Sequence, residues 1–351
     1  RDGEYADLVA LSQFLPGPAS SQVGFALGLH RAGPFGALAA WAGFTLPSAV
    51  LLVAFAYGAA LFDNVIGSGV LGGLKIVAVA IVAQAVWGMA RTLTPDPRRA
   101  SIAVGAALMA LMVGGSIGQV AAIVIGGAVG ILLCRATPAE ITGRLALPVS
   151  RRTGVTALAA FVALMIGLPV AAAATSSTVL DIADAFYRAG ALVFGGGHVV
   201  LPLLQAEVVP GWVTPEQFLA GYGAAQAVPG PLFTFAAYLG ALAAPGATGL
   251  LTAATALVAV FAPGLLLLVG VLPFWNAFRT RATAQAVMRG ANAAVVGILA
   301  AALYDPVFVT AVVGPASFGL ALVCFVLLVS WRVPSWAVVI VGAAGGVLVA
   351  L

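Results

Sequence analysis

Charge is what this chain has least of. Its 351 residues include fifteen Lys or Arg and eleven Asp or Glu, so charged side chains make up 7%, against about 25% in a soluble globular protein. A soluble fold of this length could not cover its surface with so few charges. A disordered chain is excluded by the opposite excess, because 62% of the residues are hydrophobic. Cysteine is equally scarce. Cys134 and Cys324 are the only two, both inside apolar runs, which excludes a disulfide scaffold. The net charge of +4 is spread as scattered residues between apolar stretches and forms no face, so nucleic acid is not an expected partner. Catalytic signatures are missing as well: no H-E-x-x-H, no C-x-x-C, no nucleophile elbow, no nucleotide loop. Two histidines and few acids also argue against an intramembrane enzyme, and no cofactor or metal is expected.

What is abundant is apolar sequence, with 43 Gly and 20 Pro, two residues commoner in membrane helices than in soluble ones. The expected fold is an all-α polytopic membrane protein, since a barrel would show short alternating strands. A span needs about 20 mostly apolar residues. Candidates are 6–30, 34–61, 66–90, 100–114, 117–134, 154–173, 179–209, 215–244, 248–272, 284–304, 306–330 and 335–351. Those at 100–114, 117–134 and 335–351 are short and read as tilted hairpins or spans in thinned bilayer. Three segments carry helix breakers at their centres: Pro16-Gly17-Pro18, Phe194-Gly195-Gly196-Gly197-His198 and Pro229-Gly230-Pro231.

The chain also repeats itself. Gln13-x-x-Pro16-Gly17-Pro18 matches Gln226-x-x-Pro229-Gly230-Pro231 at an offset of 213. Pro47 falls on Pro263 and Ser101 on Ser317 at 216, Gly73 on Gly290 at 217, and Gly126 and Gly130 on Gly342 and Gly346 at 216. This implies a first repeat over 1–134, a linker with an inverting helix over 135–178, and a second repeat over 179–351. The second repeat has a Gly-Gly-Gly helix before its Pro-Gly-Pro helix. The first has no counterpart, and the chain opens at Arg1, so a missing upstream helix is expected.

Arginine distribution orients the spans, because cytoplasmic loops are enriched in basic residues. Loops 91–99, 135–152 and 273–283 are expected inside, with Arg31 and Arg332; Asp63, 174–180, 245–248 and Asp305 are expected outside. Glu207 and Glu216 would then flank a solvated cytoplasmic turn. Each repeat-related loop pair changes side, which makes this an inverted-topology repeat. Such repeats with broken helices are the pattern of secondary transporters. The plainer reading is that Pro and Gly only kink packing helices.

The breaks suit an anion. Pro18 and Pro231 can each open a half-helix whose first N–H groups lack partners, and such N-termini bind anions. Ser20, Ser21 and Thr234 add hydroxyls, Gln13 and Gln226 add amides, and Gly195, Gly196 and Gly197 can form an amide nest beside His198. No carboxylate adjoins either Pro-Gly-Pro. Two cations lie within spans. Lys75 is about 13 Å deep, with Asn292 as its repeat partner; the alternative for it is snorkelling. Arg188 follows Asp184 by four residues, so a local ion pair is its alternative. A passive anion channel stays open beside a coupled carrier.

At these residues the chain resembles the chromate ion transporter family. The paired Gln-x-x-Pro-Gly-Pro motifs, with Phe194–His198 followed by Trp212 and Phe218, carry the resemblance. Pro16, Gly17, Pro18, Gly195, Gly196, Gly197, Pro229, Gly230 and Pro231 are its motif positions. The resemblance implies a multi-pass protein of the bacterial inner (plasma) membrane that exports chromate, a tetrahedral dianion that sulfate could compete with. Another small inorganic anion is the alternative substrate. The implied partners are the lipid bilayer, a coupling ion that is proton or sodium, and a second copy of the chain in a homodimer.

Overall fold

The computed structural model describes residues 8–9, 11–59, 64–135, 149–275 and 281–351. Asp63, Arg144 and Arg279, and the parts of the expected loops that hold them, lie outside the described residues. The described residues contain helices and no strand. In chain order the helices are α1 (Ala19–Gly58), α2 (Val65–Leu93), α3 (Pro97–Val113), α4 (Gly115–Leu133), α5 (Arg151–Ala174), α6 (Thr178–Ala191), α7 (Val200–Val208), α8 (Pro215–Ala225), α9 (Phe235–Leu242), α10 (Gly246–Val271), α11 (Ala282–Ala302), α12 (Pro315–Val329) and α13 (Ser335–Ala350). Six helical stretches among the described residues are long and apolar enough to cross a membrane.

Local chemistry starts these helices where expected. Asn64 accepts from the Gly67 N–H at 2.7 Å, Asp96 from Arg99 at 3.0 Å and Ser150 from Thr153 at 3.1 Å, each satisfying an otherwise unpaired first-turn donor. Thr214 and Gln217 cap α8 reciprocally. The long helix α1 is in fact two. Ala32 and Gly33 leave helical geometry, with Gly33 at φ 63°, and a Cβ at Gly28 would land on the Gly36 carbonyl. The chain therefore turns back on itself there, as the boundary between 6–30 and 34–61 anticipates. The expected span 306–330 begins late. Asp305 leaves helical geometry inside the turn Leu303–Phe308, and α12 starts only at Pro315.

Two expected spans do not span. Arg188 reaches Glu207 at 3.0 Å, nineteen residues away. The Tyr238 hydroxyl donates to the Gln217 carbonyl at 2.9 Å, twenty-one residues away, and the rings of Phe218 and Phe235 meet edge-on at 5.1 Å. A helix running straight through its break would hold such residues roughly 25–30 Å apart at 1.5 Å per residue. The segments 179–209 and 215–244 are therefore hairpins that enter and return. The turn after α7 also lies at the Asp305 end of the molecule, because Gln205 and Val209 share a cavity with Asp305 and Gly114. A cytoplasmic turn between Glu207 and Glu216 and an outside Asp305 are both expected from the sequence, and the structure sets the two at one end of the molecule, so they do not hold together. Glu207 is not solvated either, its side chain being 12% exposed and paired.

Glycine sets the tightest helix contacts. Gly73 of α2 packs on Gly342 and Gly346 of α13, and Gly290 of α11 packs on Gly126 and Gly130 of α4, close enough that an added Cβ would strike backbone. Small residues allow this approach, which drives association where lipid offers no hydrophobic contrast. The hairpin α3–α4 thus leans on α11, and the hairpin α12–α13 on α2.

Candidate functional site

The three helix breaks converge. The Gly17 N–H donates to the Val193 carbonyl at 2.7 Å, which ties the first Pro-Gly-Pro to the residue two before the glycine triplet. A Cβ at Gly197 would stand 3.7 Å from the Leu232 Cβ, which places the triplet against the first residue after the second Pro-Gly-Pro.

Each Pro-Gly-Pro is seated on a long helix. Gly17 has φ 119°, a conformation open to glycine and strained for other residues. A Cβ there would stand 2.9 Å from both Gln22 Nε2 and Gly264 Cα. Gln22, fully buried, donates from Nε2 to the Pro16 and Gly264 carbonyls, both at 2.9 Å, and so laces this break to α10. Gly230 has φ 143°, and a Cβ there would fall on the Ser48 side chain. The Ser48 hydroxyl donates to the Pro229 carbonyl and laces the second break to α1. Gly264 and Ser48 each follow the aligned prolines Pro263 and Pro47.

Pro18 directly precedes the helix that begins at Ala19, and Pro231 precedes the turn Leu232–Thr234. The Thr234 hydroxyl donates back to the Pro231 carbonyl at 2.9 Å. His198 Nδ1 lies 2.8 Å from the Tyr222 hydroxyl. Around the breaks several buried donors have no protein partner: the Ser21 hydroxyl, Gln226 Nε2, the Thr45 hydroxyl and Trp41 Nε1. Trp41 and Thr45 share a face of α1 with Ser48, and the Trp41 ring meets Phe261, which also meets Phe233. Two acceptors are also unpartnered, Gln22 Oε1 and Asn292 Oδ1. Buried polar groups are nearly always paired, so these unpartnered atoms make the meeting point of the breaks the candidate site.

Not every residue singled out in the sequence joins this cluster. Gln13 and Ser20 are exposed. The Arg188 guanidinium is held by Asp184 at 2.9 Å and Glu207 at 3.0 Å, and Glu207 stands at the far end of α7 from the glycine triplet. Lys75 is half-buried on α2, and its charge acts on Glu216 at the start of α8. Conversely, Gln22, Ser48, Trp41, Thr45, Tyr222 and Asn292 lie around the breaks although no motif marks them. The alignment of Pro47 with Pro263 held the signal for Ser48, one residue further on. Asn292, the repeat partner of Lys75, lies beside the triplet: a Cβ at Gly195 would stand 3.6 Å from its Oδ1.

A family description, chromate transporter, matches residues 1–131 and 180–347. The chain belongs to the chromate transporter family. It is a family of transporters, not of enzymes, and together with the long apolar helices it makes this a multi-pass bacterial membrane protein. The chain is 29% identical over 355 residues to the chromate transport protein of Pseudomonas aeruginosa, covering 96% of this chain and 80% of that one. It is 26% identical over 352 residues to the chromate transport protein of Cupriavidus metallidurans, covering 98% and 82%. It is also 26% identical over 327 residues to a probable chromate transport protein of Synechococcus elongatus, covering 86% and 74%. No solved structure matches the chain.

Proposed function

We propose that this member of the family is a secondary transporter that exports chromate by alternating access, with the anion bound where the three breaks meet. The observation that carries the reading is the set of buried donors without acceptors at the breaks, beside two helix starts whose first-turn N–H groups face no intrahelical acceptor. A tetrahedral oxyanion offers acceptors in several directions and suits such a cluster, and sulfate shares that shape. Chromate is what the relatives' names specify.

The reading includes two repeats of opposite orientation, 1–134 and 179–351, joined through 135–178. The reciprocal packing of Gly73 and Gly290 supports it: these aligned glycines meet Gly342 with Gly346 and Gly126 with Gly130, pairs that are aligned with each other. The related seating of Gly17 by Gly264 and of Gly230 by Ser48 supports it equally. We place the anion-binding groups at Gly230, Ser21, Thr45 and Gln226, beside the turn that Gly17 makes, with Gly195–Gly197 as the third wall.

The test is uptake of labelled chromate into inverted vesicles, with imposed proton or sodium gradients and competing sulfate. Saturable uptake that follows one gradient is expected, and Gly17→Leu and Gly230→Leu should each abolish it while the protein stays in the membrane. Absence of chromate flux would sink the substrate. Flux indifferent to every gradient would make the protein a channel, and normal flux in both leucine variants would move the anion elsewhere.

A further inference from the structure

A cavity of about 650 Å³ is lined by none of the residues that form the breaks. It opens at the ends of α3, α4 and α11 that the arginine distribution assigns to the cytoplasm. Its lining includes Arg98, Arg99, Arg135, Arg289 and one acid, Asp96. Asp96 is occupied: it forms an ion pair with Arg99, and the backbone N–H and side chain of Arg99 hold its carboxyl below the usual carboxylate range. Among the described residues, no carboxylate pairs with the other three guanidinium groups of this cavity. Two are held in place. Arg98 Nη1 donates to the Leu133 carbonyl at 3.4 Å. Arg289 donates to the Cys134 carbonyl at 3.1 Å and to Gln285 at 3.2 Å. These bonds use one or two of the five N–H donors each guanidinium carries and leave the rest for the cavity.

The helices that line this cavity also reach the candidate site. Asn292 follows Arg289 by three residues on α11, about 4.5 Å along a helix axis and on nearly the same face. Asn292 lies beside Gly195, as do Leu93 and Met89, which would stand 3.2 and 3.4 Å from a Cβ at that glycine. Leu93 is three residues before Asp96. Asn292 and Leu93 thus lie within one helical turn, in sequence, of residues that line the arginine cavity and also beside the glycine break.

We propose that this cavity is a cytoplasmic vestibule that binds tetrahedral oxyanions through Arg98, Arg135 and Arg289 before they reach the breaks. The assignment of its role rests on the transport reading above; the anion binding itself does not. A cleft of one charge sign raises the local concentration of counter-ions and their on-rates, in a salt-dependent way. A phospholipid phosphate presents the same chemistry, and an apolar groove between α3 and α4 also borders Leu133.

Labelled sulfate binding to the purified full chain in neutral detergent tests this without any transport step. Arg98→Gln combined with Arg289→Gln should weaken binding about tenfold and flatten its dependence on ionic strength. Arg289→Lys, which keeps the charge, should retain most of it. The same loss from wild type to double variant should appear when both proteins also carry Gly230→Leu, which blocks the break and so separates failure of the vestibule from failure of the site at the breaks. Equal affinity in wild type and in the folded double variant would overturn the proposal. So would competitive displacement of sulfate by phosphatidylglycerol and not by phosphatidylcholine, because a lipid phosphate would then be the natural occupant.

Discussion

Single residues in this protein explain why the breaks hold their shape. The carbonyls of Pro16 and Gly264 are both satisfied by one buried amide, Gln22, and the Pro229 carbonyl by one hydroxyl, Ser48. Residue chemistry also decides what Arg188 does. Its carboxylate partners Asp184 and Glu207 are 11% and 12% exposed, while Arg188 itself is 39% exposed. Removing one member of a fully buried pair costs roughly 3–5 kcal/mol, and partial exposure of the cation reduces that. Arg188→Gln should therefore lower stability by about 2 kcal/mol, measured as a fall in the thermal midpoint of the purified protein. Adding Glu207→Gln should recover part of the loss, because one of the two carboxylates left unpaired is gone. A variant with unchanged stability and weakened anion binding would instead return Arg188 to the binding site. In the sequence, Asp184 and Arg188 were legible as a pair by their spacing of four; Glu207 was not, because nothing local reveals that the chain reverses between them.

At the scale of elements, helix positions were legible and their paths were not. Hydropathy locates α2, α4, α5, α10 and α11 to within a few residues, because each is a continuous apolar run ended by loop chemistry. A break inside an apolar run is equally visible, yet a break that continues across the membrane and one that turns back have the same composition. Contacts across the break, of Phe218 with Phe235, Tyr238 with Gln217 and Arg188 with Glu207, distinguish them. Glycine spacing carried more. Gly73 and Gly290 were marked as repeat partners, and each sits at a helix crossing where a Cβ would press on the backbone of the facing helix. Backbone cannot yield as a flexible side chain can, and overpacking of this kind costs about 1–3 kcal/mol. Gly73→Ala and Gly290→Ala should lower the thermal midpoint by similar amounts. Gly72→Ala, one residue away with no neighbour within 4 Å of an added Cβ, should leave it unchanged. A large fall for one glycine and none for its partner would argue against equivalent crossings.

At the scale of the whole molecule, the close contacts agree with one threading of the chain. Gly69 and Gly73 of α2 meet Val347 and Gly342 of α13, and Gly126 and Gly130 of α4 meet Gly290 and Ala286 of α11. In every pair the two residues lie at matching depth if Arg98 and Arg332 are inside and Asp305 is outside. Treating 179–209 and 215–244 as hairpins preserves this threading, since two crossings and two returns leave the following helix on the same side. What changes is the turn between α7 and α8. Two spanning helices would put it with Arg98; two hairpins put it with Asp305. Gly211 reports on this turn. It is exposed, and a side chain there would meet nothing within 4 Å, so Gly211→Cys should fold normally. With the buried Cys134 and Cys324 replaced by Ala, a membrane-impermeant thiol reagent applied to intact cells should label Gly211→Cys as it labels Asp305→Cys. Arg98→Cys should react only after the membrane is opened. Labelling of Gly211→Cys together with Arg98→Cys would mean that the breaks are crossed, and the anion would then be held within continuous spans in place of the tips of returning hairpins.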